Sequence, residues 1–510
     1  MRHDAICINQ YDDAEKSEQV KKMHFRYACT SHLIVWVGEA SEDSDLGMQT
    51  LRQIGEELRD GPLFEVDLAN VSLIKDPPEA IEEFDPKPWI ALNRLFQRAW
   101  FERVIQEICM PDEEMSFVCG RESVPWESVS RASHAVQRYR WGIQRTYVLF
   151  DGGYTYNNMD RPVNLVRWFW KNRNAVAESQ SALMTNLWGF RSRKCGDPRD
   201  KVYAILGICK DLRTKDITVD YTYSVAQVYG EIAKFLIMRD CKLRTLSACQ
   251  MYGMNVEAPS WAPDWSIDAR FRPKRPILNW DHAESLRPAF NASGNSSAHV
   301  QISEDICLLT TRGFICATIS DPGTHIGNDA DFVENPVSQA RMFSLFNEWW
   351  PLAEKCTLEA TVAGERRIDA FWRTLITDMT LRSQKATQGI EGAQFRLWMR
   401  KTNRSAFELQ DLDIPDGTYQ WMEFTASFEQ ATTNRRFFVT REGYMGLGPR
   451  DMDIGDVVCV LLGSLVPFAL RAVQDHHILL GECYCHRVME GEAVRGLDNG
   501  EIELQDFVIR

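Results

Sequence analysis

The 510-residue chain is 44% hydrophobic and 25% charged, the composition of an ordinary globular protein, with room for two to four domains at roughly 150 residues each. A formal net charge of -14 and the lack of a long Lys/Arg block exclude nucleic acid as an expected partner. The most apolar run, Val457 to Leu470, is too short to span a membrane and is broken by Gly463, Ser464 and Pro467, while 14 scattered cysteines without a CxxC pair suit reduced thiols, so the expected location is cytoplasmic.

In chain order, the apolar run Ala5 to Ile8, a polar turn, a helical stretch and the run Leu33 to Val37 ended by Gly38 spell strand, helix, strand. Asp12 is expected to cap the helix, with Glu15 returning the bond as in a capping box, and Val20, Met23, His24, Tyr27 and Ala28 recur at helical spacing. The two strands would then be parallel, joined by a right-handed crossover. From Glu39 to Pro88 the chain turns acidic and irregular, with a short helix near Leu46 to Leu58, and reads as an excursion from the core. Trp89 to Trp100 resumes an amphipathic helix with Trp89, Leu92, Leu95 and Phe96 on one face, and Val104 to Ile108 reads as a further short strand or helix. Asp160 to Leu187 has helical periodicity, Asp197 and Pro198 mark a helix start, and Ser224 caps a helix over Val225 to Met238. Near the end, Arg436 to Thr440, Val457 to Leu462, Val466 to Arg471 and Ile478 to Cys485 are short apolar runs between Gly, Asp and Pro, the pattern of a small β-rich domain.

Few residues carry a chemical signal by themselves. Asn9 and Gln10 close the first apolar run, at the strand end where open parallel sheets bind ligands, and Asp4 opens it; turn chemistry is the favoured reading of Asn9 and Gln10, with ligand binding second. Arg199 and Asp200 fall in the first turn of a helix, where Asp200 suits the helix dipole and Arg199 and Lys201 can pair locally, with Tyr203 one turn on. Trp261, Pro263, Asp264 and Trp265 read as a proline-rigid loop anchored by two indoles. His477, Cys483 and Cys485 share strand parity and are the best metal candidates, yet they lack zinc-finger spacing and a fourth ligand, so no metal and no cofactor is expected.

Taken together, Asp4 to Ala40 (DAICINQYDDAEKSEQVKKMHFRYACTSHLIVWVGEA, with Trp36), Arg98 to Glu107 (RAWFERVIQE, with Trp100 and Arg103), Asp197 to Ile208 (DPRDKVYAILGI), Val219 to Ala233 and Pro259 to Ser266 (PSWAPDWS) resemble, in this order, the blocks of fungal HET-domain (heterokaryon incompatibility) proteins. The tail GYMGLGP, GDVVCVLLGSLVPFALR and LLGECYCHRVMEGEA is similar to the region that often accompanies that domain. Family members usually begin with a strand, a Trp-bearing loop and a helix before the block that starts here at Asp4. They also usually carry an extra Trp-Val between Val104 and Ile105. By this resemblance the amino-terminal domain is truncated.

The resemblance implies an α/β amino-terminal domain over residues 1–140, a TIR-like or flavodoxin-like parallel sheet that is incomplete. A helical region over 141–270, a variable α-rich region over 271–435 and a small β-rich carboxy-terminal domain over 436–510 follow. It also implies self/non-self recognition leading to cell death, through a protein recognition partner and self-association. A second expectation rests on the remote likeness of HET to TIR domains, some of which cleave NAD using one glutamate. The matching position is Glu107, whose carboxylate would stabilise the oxocarbenium-like ribose left when nicotinamide departs, with NAD as substrate. Beside Arg103, Glu107 also suits an ordinary ion pair. A third expectation is an inactive remnant, since a sheet short of a strand exposes backbone groups.

Overall fold

The computed structural model describes residues 8–57, 87–103, 115–138, 182–209, 212, 216–278, 289–325, 339–356, 365–380, 384–401, 420–500 and 502–510. The chain divides into two compact units, Met1–Thr222 and Tyr223–Arg510.

In the first unit, α1 (Asp13–Lys21) starts where the Asp12 carboxylate accepts the N–H groups of Ala14 and Glu15 at 3.0 and 2.9 Å. The expected capping box is not closed, because Glu15 instead accepts the N–H of Asn9 at 3.3 Å. The chain continues as α2 (Met23–Ala28), with Met23 buried and Val20 and Tyr27 half-buried, and then as β1 (Leu33–Trp36). Of the expected strand Ala5 to Ile8, only Ile8 is among the described residues, buried in a bend, so its pairing with β1 lies outside them.

Among the described residues, the strand that pairs with β1 comes from further along. After α3 (Ser44–Glu57) and α4 (Lys87–Phe96), β2 (Met115–Cys119) runs parallel to β1, and β3 (Glu122–Pro125) pairs antiparallel with β2. Strand alternation sends Val35, Met115, Phe117, Cys119 and Val124 to one face, where α3 and α5 (Trp126–Arg138) pack. Met48, Leu51 and Ile54 of α3 and Trp89, Leu92, Leu95 and Phe96 of α4 are buried there. At about 1.5–3 kcal/mol for each large apolar side chain, this layer is a main source of stability. The stretch from Glu39 to Pro88, expected as an excursion, therefore gives α3 to the core. Two further helices, α6 (Ala182–Phe190) and α7 (Asp200–Leu206), complete the described part of the unit.

The second unit opens with α8 (Val225–Asp240), where Ser224 and Gln227 form a reciprocal capping box at 2.8 and 3.2 Å. Next come β4 (Val300–Ile302) and β5 (Leu309–His325), two strands inside the stretch expected to be α-rich. Helices α9 (Gln339–Glu354), α10 (Arg367–Leu375), α11 (Glu391–Lys401) and α12 (Gln420–Thr432) follow. They enclose an aromatic core that includes Phe346, Trp349, Trp372, Trp398 and Phe428.

The carboxy-terminal strands are β6 (Arg435–Thr440), β7 (Met445–Pro449), β8 (Val457–Leu461), β9 (Phe468–Val473), β10 (His476–Glu482), β11 (Tyr484–Cys485) and β12 (Gln505–Ile509), with α13 (Glu492–Asp498) before the last. The run Val457 to Leu470 is two strands and a turn, as its Gly, Ser and Pro suggest. Strands β5, β12, β10, β9 and β8 close into a barrel, antiparallel except for the β10–β12 pair. The far half of β5 pairs with β6, which leads to β7 and β11. Register shifts along β5 bend it so that one strand serves both halves.

A buried ion pair pins this barrel to the preceding chain. Arg435 and Glu482 meet at 3.1 Å, and Glu482 also accepts the N–H groups of Ile277 and Leu278 at 2.6 and 3.0 Å. Arg435 donates to the carbonyls of Arg275 and Ala431 at 2.8 and 2.9 Å. Burial pushes the Glu482 carboxyl up and the Arg435 guanidinium down, and each opposes that shift in the other. Among the described residues no helix is long and apolar enough to cross a membrane.

Candidate functional site

The block DPRDKVY does not begin a helix at Pro198. Its helix, α7, starts at Asp200, while the Asp197 carboxylate accepts the N–H of Arg199 as a capping residue does and is the centre of a polar knot. Asp197 accepts the N–H and Nε of Arg199 at 3.0 Å each and Nη2 at 2.9 Å, and Lys16 Nζ of α1 reaches it at 2.8 Å. Burial alone would raise this carboxyl, but hydrogen bonds from Arg199 and Lys16 outweigh it and hold the group at about 2. Arg199 is therefore paired with Asp197, while Lys201 donates to the carbonyls of Arg191, at 2.9 Å, and Arg193. Arg199 thus pairs locally, as its spacing suggests, with Asp197 as its partner.

Asp200 instead receives the hydroxyl of Tyr221, and burial pushes its carboxyl up despite that bond. Lys16 lies 3.9 Å over the Tyr221 ring, and the Tyr221 N–H donates to Ser17 Oγ at 3.0 Å. The Tyr203 hydroxyl donates to the carbonyl of Asp220 at 2.9 Å, and burial pushes that phenol up to about 12. Family-like blocks around residues 16, 197 and 220 thus meet in one place. Every named polar group there has a protein partner, which is the geometry of a structural lock. Lys16, Ser17 and Tyr221 were not legible as its members, since each pairs across a long stretch of chain.

A second arrangement surrounds β1. Arg98 donates to the carbonyls of Val37 and Glu39 at 3.3 and 2.5 Å and to Ser41 Oγ at 2.9 Å, fixing the strand exit at Gly38, whose φ is +113°. Half-buried Trp100 packs edge-on against Phe101 and Trp126, with centroids 5.1 and 5.6 Å away. Arg103 sits in an isolated bridge with Lys194. Trp36, by contrast, is 53% exposed, as is Ile34, on the sheet face opposite α3 and α5.

The remaining candidates divide as follows. Glu107 and Asp4 lie outside the described residues. Asn9 accepts the N–H of Tyr11 at 3.1 Å, and Gln10 donates to the Ile8 carbonyl at 3.2 Å, both as turn contacts. In the second unit Trp261 and Trp265 are buried, and Asp264 ties their loop by accepting the N–H groups of Ser266 and Asn255 at 2.8 and 2.9 Å. The shared parity of His477, Cys483 and Cys485 does not hold. A bulge between Leu479 and Gly481 inserts a residue, Cys483 and Cys485 are buried in the barrel core, and His477 packs against Phe507 at 5.3 Å. Burial pushes both thiols well above the usual range.

Residues 3–107 match the family described as heterokaryon incompatibility protein (HET), and residues 416–501 match the Het-6 beta-barrel domain. The chain is also 25% identical, over 568 aligned positions, to the Neurospora crassa protein named heterokaryon incompatibility protein 6, OR allele; the alignment covers 96% of this chain and 80% of that protein. No solved structure matches. The HET segment takes in β1 with Trp36, Arg98, Trp100 and Arg103, and it ends at Glu107. The barrel segment takes in β6 to β11, whereas β5 and β12, which complete the ring, lie beyond it. With a HET segment leading and a Het-6 barrel following, this chain is a fungal HET-domain protein.

Proposed function

We propose that this protein acts in heterokaryon incompatibility, as a cytoplasmic self/non-self recognition module that engages a protein partner and self-associates to trigger cell death. The observation that carries this reading is the alignment with heterokaryon incompatibility protein 6, which runs through both domain types and nearly the whole chain. The polar knot supports it too. Asp197, Arg199, Asp200 and Tyr203 are engaged with one another's neighbours, as in a scaffold that displays a surface.

The test is to express the chain in a filamentous host and force heterokaryons with a strain lacking it, reading growth, lysis and total NAD, with Glu107→Gln alongside. Growth arrest with steady NAD, unchanged in the variant, is the expected result. Heterokaryons that grow like controls overturn the incompatibility reading. Loss of NAD that Glu107→Gln abolishes replaces recognition by NAD cleavage as the activity.

A further inference from the structure

Ile306 stands at the tip of the β4–β5 hairpin with φ at +60°. A branched Cβ crowds the backbone there, so the conformation is strained for isoleucine where glycine or asparagine would adopt it easily. Hydrogen bonds of the turn hold it. Ile306 donates its N–H to the Ser303 carbonyl at 3.0 Å, and Ser303 donates its own to the Leu308 carbonyl at 3.0 Å, which reverses the chain within a few residues. The Ser303 hydroxyl donates to Asp305 Oδ1 at 2.5 Å and accepts the N–H of Leu308 at 2.9 Å, and Asp305 also accepts the N–H of Cys307 at 3.1 Å. Glu304, Asp305, Cys307 and Leu308 are exposed, whereas Ile306 is half-buried. It rests on a helix. Gly230, buried within α8, lies so near that a Cβ on it would stand 2.9 Å from Ile306 Cγ2. Glycine inside a helix is itself unfavourable. Two residues thus break their local preferences at one contact, isoleucine in a left-handed turn and glycine in a helix, and the second makes room for the first.

We propose that this hairpin tip is a strained clasp on α8, which opens locally while the barrel stays folded. Holding it shut are three residue pairs between β4 and β5, from Val300–Thr311 to Ile302–Leu309, and the seating of Ile306 on Gly230. Working against it is the backbone of Ile306, which regains its ordinary conformations once the turn loosens. β5 does not depend on the clasp, since it pairs in turn with β12, β8 and β6 along Leu309 to His325. Few buried contacts at the tip and extensive pairing behind it place this opening at the low end of the local stabilities within a fold. Opening uncovers Gly230, where no side chain shields the α8 backbone. The clasp is a conformational device of the second unit alone and stands independently of the incompatibility reading.

The test is native-state hydrogen exchange of the full chain, read at the amides of Ser303, Ile306 and Leu308 against those of β8 and β9. Wild type is compared with Gly230→Ala and with Gly230→Ala carrying Ile306→Asn. All three hairpin amides are hydrogen-bonded in the closed turn, so they report its opening. Alanine favours a helix, so protection that Gly230→Ala removes from the hairpin comes from the contact with Ile306 and not from α8. Expected is hairpin exchange at least about tenfold faster in Gly230→Ala, with the α8, β8 and β9 amides unchanged or slower. Asparagine accepts the left-handed backbone and lacks the Cγ2 methyl, so adding Ile306→Asn should restore at least about fivefold of that protection. Three results would each overturn the clasp: hairpin amides that exchange only together with β8 and β9, hairpin exchange indifferent to Gly230→Ala, or a double variant that exchanges no more slowly than Gly230→Ala.

Discussion

Lys16 Nζ lies 2.8 Å from Asp197, although 181 positions separate them, and this contact ties the first described helix to the start of α7. Both side chains are largely shielded, and Asp197 also holds Arg199. Removing a charged acceptor that serves several donors costs more than an exposed ion pair would. Asp197→Asn should lower the unfolding free energy by about 2 kcal/mol. In a double-mutant cycle with Lys16→Met, the coupling should fall within about 0.5–3 kcal/mol. Urea unfolding of the four proteins checks both figures, and a coupling near zero would mean that the contact is incidental.

Asp197 and Asp200 should respond to acid in opposite directions. The Asp197 carboxyl is lowered from 3.8 to about 2, so its contribution is complete above the unfolded value and is lost as pH falls through the folded one. Burial raises Asp200, so its charged form opposes folding at neutrality and that cost disappears as it takes up a proton. The difference in stability between wild type and Asp197→Asn should therefore shrink below about pH 4. Asp200→Asn, which can still accept the Tyr221 hydroxyl, should be neutral or stabilising at pH 7. Its advantage should vanish in acid. Thermal melts across pH read both variants, and a loss of stability in Asp200→Asn at neutrality would count against the argument.

What the sequence reveals follows from how local each signal is. Ser224 with Gln227, and Asp12 with the N–H groups of Ala14 and Glu15, act within one turn, and the helices that follow are where the residues predict them. The apolar run Leu33 to Val37 announces a strand, but nothing in it names β2 as its partner, because pairing depends on a distant stretch. β5 stays hidden for a different reason. Gly313, Pro322 and Gly323 interrupt it, and its register shifts break the alternation that identifies strands. The same effect undoes the parity of His477 with Cys483 and Cys485. Trp36 and Trp100 look equivalent in the family-like blocks. Only the fold shows that one is displayed and the other packed against Trp126.

Gly55 of α3 lies against α5, and a Cβ there would stand 2.9 Å from the Ser128 Cα and closer still to its side chain. In an isolated helix, replacing glycine by alanine is favourable by about 1 kcal/mol. Here the contact should reverse the sign, and Gly55→Ala should destabilise by about 1–3 kcal/mol because the Ser128 backbone cannot retreat without moving α5. Adding Ser128→Gly should recover part of that loss, since the hydroxymethyl group goes while Cα remains. Denaturant midpoints of the single and double variants test this, and a stabilised Gly55→Ala would show that the two helices separate easily.

The Arg435–Glu482 pair gives the strongest expected effect. Both groups are fully buried, so removing one leaves the other charged or unsatisfied in a medium that cannot solvate it. Glu482→Leu should cost about 3–5 kcal/mol, because it strands the Arg435 guanidinium and the N–H groups of Ile277 and Leu278. Glu482→Gln should cost less, since its amide oxygen can keep one of those N–H groups. Replacing both partners, as Arg435→Met with Glu482→Leu, removes the unpaired charge but still orphans the backbone donors at 277 and 278 and the carbonyls of Arg275 and Ala431. The double variant should therefore be more stable than Glu482→Leu alone and less stable than wild type. Urea unfolding followed by tryptophan fluorescence gives this order. A double variant equal to wild type would show that the pair sets the geometry of the 275–278 segment without contributing to its stability.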